Sequence, residues 1–169
     1  MNPFAYAHQR VAIFIDTQNI YHSAKNFYNK KVDFGNLVKI LTNERNLVRA
    51  IAYVVQSNLS SREISFFETL VHKGIELRVK EMIYLPDGEK KADWDVGIAV
   101  DAIRISKFVD VVILVSGDGD FAPLVEYLKN QGNIVELAGF SRNTSVKLKE
   151  LADYFYDLDE LKNYILIKK

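Results

Sequence analysis

At 169 residues the chain has the length of one domain and is short for two well-filled cores. Its hydrophobic fraction of 49%, with 12% aromatic, excludes a disordered chain. Lys plus Arg and Asp plus Glu stand at 22 each, which argues against a tight, non-specific DNA binder while leaving room for a local basic groove. The absence of cysteine removes disulfide frameworks, thiolate zinc sites and cysteine nucleophiles together. The opening MNPFAYAHQR lacks a basic segment followed by an apolar one, and no apolar run approaches the roughly 20 residues that span a bilayer. A soluble, cytoplasmic protein with no membrane association is the expectation.

In chain order, Val11–Ile15 (VAIFI) is a continuous apolar run of the kind buried on both faces of a parallel sheet, and Asp16 ends it. Thr17–Tyr28 and Phe34–Asn43 carry apolar residues at helical spacing. Leu47–Val55 reads as a second strand, Ser60/Ser61 with Glu63 as the start of a helix reaching His72, and Gly74 as its stop. Ile75–Ile83 alternates as a third strand, and Pro86-Asp87-Gly88 signals a turn. A helix follows over about Trp94–Phe108, then the strand Val111–Val115 (VVILV), a helix over Phe121–Asn130 ended near Gly132, and the strand Ile134–Ala138. Ser145–Tyr154 is expected to be a further helix and Leu158–Lys169 a mixed terminal segment. Strands alternating with helices predict one α/β domain with a mainly parallel, doubly wound sheet. In such sheets ligands sit beyond the carboxyl ends of strands.

The residues at those ends are acidic. FIDTQNI at 14–20, KKADWDVGIAVD at 90–101 and SGDGDF at 116–121 supply Asp16, Asp93, Asp95, Asp101, Asp118 and Asp120. Two carboxylates about 5 Å apart repel by roughly 3 kcal/mol at an effective dielectric of about 20. A converging group therefore needs raised pKa values or a cation. Hard oxygen ligands suit Mg²⁺ or Mn²⁺, and such an ion supports phosphodiester hydrolysis. His8, His22 and His72 lie outside the clusters, which disfavours histidine acid–base chemistry.

Each acid also has an ordinary reading. Asp16, Asp118 or Asp120 can cap a helix or turn, and Asp95 suits a helix N-terminus through the dipole. Asp101 lies six residues past Asp95, about 240° round an ideal helix, so the two cannot both point into one small site; a nearby base such as Arg104 is its alternative partner. Asn19 and Ser116 can orient a ligand or serve as local caps. Lys90, Lys91, Arg104, Arg142, Lys147 and Lys149 either line a path for a phosphate backbone or form a solvated face. Trp94 and Tyr21 either stack on a base or belong to the core.

These residues carry a resemblance. FIDTQNI, DWDVGIAVDAI and VVILVSGDGDFAPLVEYL followed by GNIVELAG, in this order, resemble the LabA-like NYN family, a branch of the PIN-like nuclease superfamily. The resemblance runs from Val11 to about Asp157 and implies a single NYN domain over 1–169 with its motif-bearing core at about 11–157. It implies a Rossmann-like three-layer sandwich of about five strands in the order 3-2-1-4-5, which sets the first and fourth strands side by side. It also implies a Mg²⁺- or Mn²⁺-dependent endoribonuclease. Asp16, Asp95, Asp118 and Asp120 would be its catalytic and metal-binding acids, with Asn19, Asp93, Asp101 and Ser116 in support, and RNA as partner. A non-catalytic regulator that binds RNA or protein through the same face is the alternative, and a homodimer or protein partner stays open. A phosphatase of the haloacid dehalogenase type is weaker, because Gln18 stands where its second aspartate is required.

Overall fold

The computed structural model describes residues 2–56, 60–84 and 90–167. The turn expected at 86–88 and the side chains of Lys90 and Lys91 lie outside the described residues. The chain runs β1 (Arg10–Asp16), α1 (Thr17–Tyr28), α2 (Phe34–Thr42), β2 (Asn46–Gln56), α3 (Ser61–His72), β3 (Glu76–Glu81), β4 (Ile83–Tyr84) and β5 (Lys90–Lys91). It continues with α4 (Asp95–Ser106), β6 (Val111–Val115), a 3-10 turn (Gly119–Phe121), α5 (Ala122–Asn130) and β7 (Ile134–Gly139). A second 3-10 turn (Ser141–Asn143), α6 (Val146–Leu151), β8 (Tyr154–Asp157) and α7 (Lys162–Ile165) complete it.

Among the described residues, six strands form one parallel sheet in the order β3-β2-β1-β6-β7-β8. The first five match the expected order, with VVILV beside VAIFI. β1 is central because its five apolar residues are buried on both faces. Val11, Ile13 and Ile15 enter one core with Ile20 and Ala24 of α1, Leu37 and Leu41 of α2 and Leu70 of α3. Ala12 and Phe14 enter the other with Ile98 and Ala102 of α4, Val125 and Leu128 of α5 and Leu148 of α6. Burying one such Val, Leu, Ile or Phe side chain is worth about 1.5–3 kcal/mol, so both faces hold this strand in the middle. The result is the three-layer arrangement expected.

Two elements depart from expectation. The helix expected to reach Tyr154 ends at Leu151, and Tyr154–Asp157 becomes a sixth strand on the β7 edge. Asp153 makes the turn: its N–H donates to the Val135 carbonyl at 2.8 Å, and its carboxylate accepts the Val135 N–H at 2.8 Å. The third strand stops at Glu81, and Ile83–Tyr84 pairs instead with Lys90–Lys91 as a short antiparallel ladder.

Helix starts follow the sequence. Asp16 and Asp33 cap α1 and α2, and Ser60 forms a capping box with Glu63 ahead of α3. A buried ion pair, Arg45–Glu136 at 2.7 Å with both side chains fully buried, joins the chain after α2 to β7. Asn2 donates to the same carboxylate at 2.7 Å and the Tyr156 hydroxyl at 3.1 Å, so its oxygens are well supplied with donors. Among the described residues no helix is long and apolar enough to cross a membrane.

Candidate metal centre

The winding direction reverses between β1 and β6, so the crevice outside their carboxyl ends is where a ligand is accommodated. Asp16 ends β1 and caps α1, one carboxylate oxygen accepting the Asn19 N–H at 3.2 Å. The other accepts the hydroxyl of Ser116, the first residue after β6, at 3.1 Å. Ser116 Oγ in turn accepts the Asp118 N–H at 3.2 Å. Asp118 caps the 3-10 turn by accepting the Asp120 N–H at 3.0 Å. The capping reading of Asp16 and Asp118 is thus correct as local structure, and each cap occupies one oxygen of its carboxylate.

Asp95 reaches the same place from the first turn of α4. Carboxylate oxygens of Asp95, Asp118 and Asp120 all lie within 4.8 Å of one another. Asp16 stands outside that tight group, yet its charge is felt there. Partial burial, then the charges of Asp118, Asp16, Asp93 and Asp120, push the Asp95 carboxyl up to about 6. Burial chiefly raises the Asp16 carboxyl as well, opposed by its bonds from Asn19 and Ser116. The helix N-terminus that favours a charged Asp95 is outweighed.

This donor set fits a small hard cation. Ligand oxygens about 2.1 Å from Mg²⁺ stand about 3 to 4.2 Å apart in an octahedron, so the spacing needs little adjustment. A cation bound among three neighbouring carboxylates would neutralise their mutual repulsion.

The remaining expected residues are placed as follows. Asn19 uses its side-chain oxygen to accept the Gly117 N–H at 3.0 Å, binding α1 to the acidic loop. Gly117 must be glycine: a Cβ there would lie 2.3 Å from the Asn143 carbonyl oxygen. Asp93 is exposed, and its carbonyl accepts from Lys80 at 2.8 Å. Asp101 points elsewhere and accepts the Tyr53 hydroxyl at 2.9 Å and Arg78 Nε at 3.3 Å, so its base is Arg78 of β3 and not Arg104. Burial, then Asp101, raises the Tyr53 hydroxyl pKa.

Trp94, next to Asp95 in sequence, is partly buried and packs against the core. Its indole N–H donates to the Val54 carbonyl at 2.9 Å and its ring meets Tyr53 edge-on at 5.3 Å. Tyr21 is exposed, with Lys25 over its ring. Arg142 pairs with Asp159 at 3.2 Å and lies over Phe27 at 4.2 Å. Lys149 donates to the carbonyl and hydroxyl of Ser141, both at 2.8 Å. Arg104 and Lys147 are exposed. A cavity of about 370 Å³ lies at the other end of the sheet, lined by Ser106, Lys107, Tyr127 and Asn133 among others, and none of the clustered acids reaches it.

Two residues not singled out from the sequence adjoin this framework. Ser23 donates to the Asn19 carbonyl at 2.8 Å and accepts from Asn143 Nδ2 at 2.8 Å. The spacing of Asp16, Asn19 and Ser23 along one face of α1 is the signal that marks Ser23. Asn143 has no local signal.

The NYN domain family model matches residues 10–159. The chain is 24% identical over 172 residues to low amplitude and bright protein LabA of Synechococcus elongatus, covering 95% of this chain and 90% of that protein. A crystal structure of a protein of unknown function from Vibrio parahaemolyticus is 36% identical, with a TM-score of 0.87, covering 96% of this chain and 99% of that one. With its sheet order, its acids at the strand ends and these matches together, the chain belongs to the NYN domain family, as a LabA-like member.

Proposed function

We propose that this chain is a divalent-metal-dependent ribonuclease that hydrolyses RNA phosphodiester bonds at the strand-end acids, with Mg²⁺ or Mn²⁺ as cofactor. The observation that carries the reading is the convergence of Asp95, Asp118 and Asp120 within 4.8 Å. Membership of the NYN family supports a nuclease and RNA as its substrate. Asp95, Asp118 and Asp120 would hold the cation. When bound, a divalent ion supplies Lewis acidity and charge neutralisation for hydrolysis of a phosphodiester. Asp16, fixed by Asn19 and Ser116, adds negative charge behind the group and holds the β6 loop in register with β1. Asp120, the exposed acid of the three, would meet the incoming water and phosphate.

The test uses labelled single-stranded and hairpin RNA with purified protein and either Mg²⁺ or Mn²⁺. Cleavage is expected, abolished by EDTA and lowered at least about 100-fold in Asp118→Asn. Intact RNA, under conditions where calorimetry records saturable Mn²⁺ binding, overturns the nuclease reading.

That outcome together with binding of RNA or a protein would support the second reading, a non-catalytic regulator that binds RNA or a protein partner through the same face. The equal counts of 22 basic and 22 acidic residues favour it, as do Arg142 and Lys149, both engaged within the fold.

A further inference from the structure

The acidic loop after β6 is gripped through both backbone groups of one residue, Gly117. The Gly117 N–H donates to the Asn19 side chain at 3.0 Å, and the Gly117 carbonyl accepts the Ser145 N–H at 3.0 Å. These two grips belong to different elements, α1 and the loop after β7. The elements are themselves joined: Asn143 donates through Nδ2 to Ser23 Oγ, and Ser23 donates to the Asn19 carbonyl. The path Asn19, Gly117, Ser145, Asn143, Ser23 and back to Asn19 is closed.

We propose that Ser23 and Asn143 are positioning residues for the metal centre, because the Ser23–Asn143 bond closes the ring that holds the Asp118 loop against α1. The inference rests on the metal-dependent reading above. A serine that bonds its own helix four residues back is ordinary and slightly unfavourable. Ser23 differs because it is 3% exposed and also accepts from a residue 120 positions away. The ring works against the mutual repulsion of Asp95, Asp118 and Asp120, which pushes the loop outward. Its inner corner is tight, since the Asn143 carbonyl occupies the space a Gly117 side chain would need.

The loop after β7 that carries Asn143 and Ser145 is itself secured separately. Arg142 holds Asp159 at 3.2 Å, the Ser141 N–H donates to Asp159 at 2.9 Å, and Lys149 holds Ser141. Asn143 is exposed, so removing its carboxamide leaves the loop folded and frees only the corner beside Gly117.

The experiment measures Mn²⁺ affinity by calorimetry for the whole chain, Ser23→Ala, Asn143→Ala and the double variant, with melting temperatures in EDTA alongside. Loss of one neutral hydrogen bond predicts a three- to tenfold weaker affinity in each single variant, on the order of that bond's worth. Both break the Ser23–Asn143 bond, and Ser23→Ala also its bond to Asn19, so the double variant should bind no more weakly than the weaker single. A general packing defect would lower the melting temperature and leave the affinity of the folded protein unchanged. Affinities within 1.5-fold of wild type, or losses that multiply in the double variant, overturn the positioning role. Absence of saturable Mn²⁺ binding in the wild type would instead bring down the metal-dependent reading itself, and this inference with it.

Discussion

Ser116 donates its hydroxyl to Asp16 at 3.1 Å across 100 residues of sequence, and accepts the Asp118 N–H at 3.2 Å with the same oxygen. One hydroxyl therefore ties the end of β1 to the acidic loop after β6. Ser116 is fully buried, so the hydroxyl's side of both bonds is shielded from competing water. The strands themselves pair only as far as Ile15 and Val115, and this contact continues the join one residue further, to the site.

The raised acids predict an unusual pH dependence for the metal-free protein. A carboxyl with a raised folded-state pKa binds its proton more tightly folded than unfolded, so stability falls as pH rises through the window between the two values. For Asp95 that window runs from 3.8 to about 6, and Asp16 acts in the same direction. Asp110, held down to about 2 chiefly by Arg10, and Glu76, lowered chiefly by Arg49, act oppositely, but only as pH falls below the ordinary carboxylate range. Calorimetric melting in EDTA should therefore give a higher melting temperature at pH 5 than at pH 7.5. Asp95→Asn should narrow that difference and melt above wild type at pH 7.5. A melting temperature that climbs steadily from pH 4.5 to 7 in both proteins would contradict this.

Asp101 is expected to serve the fold and not the cation. Its Oδ2 receives both the Tyr53 hydroxyl and Arg78, and it is absent from the converging group. Asp101→Asn should lower stability by about 1–2 kcal/mol, the scale of a hydrogen bond to a partly solvated charge. Its Mn²⁺ affinity should stay within twofold of wild type. Urea unfolding and a metal titration on one preparation check both halves; a tenfold weaker affinity would place Asp101 in the site.

The Arg45–Glu136 pair should dominate single-residue losses. Both side chains are fully buried, and removing one partner leaves an uncompensated charge, at a cost of about 3–5 kcal/mol. Glu136→Ala should show that loss in urea unfolding. Replacing the two together, Arg45→Met with Glu136→Leu, should recover most of it. If the double variant is less stable than the single, the pair contributes more than charge compensation.

Much of this was readable in the sequence, because burial on both faces leaves a strong signature. VAIFI and VVILV could hardly be anything but central strands, and an acid following such a strand has to stand at its carboxyl end. The sixth strand was hidden because only Ala152 and Asp153 separate VKLKEL from YFYD, and what stops the helix is Asp153 meeting Val135, a tertiary contact. Asp101 illustrates the same limit. Helical geometry separated it from Asp95 while leaving it a supporting residue, and its base comes from β3, where sequence distance gives no guidance. Trp94 was ambiguous until its indole met the Val54 carbonyl, and Arg142 until it met Asp159.

The sheet order also governs when the site can exist during synthesis. β1 is made early, but one of its two neighbours is β6, and Ser116 follows Asp16 by 100 residues. At ribosomal speeds of about 5–20 residues per second, Asp16 waits on the order of 5–20 seconds for the hydroxyl that orients it. The loop carrying Asp118 and Asp120 is synthesised in that same late stretch, and Ser145, which grips Gly117, later still. A nascent chain therefore cannot assemble its acids while the messenger encoding them is still being read through this region.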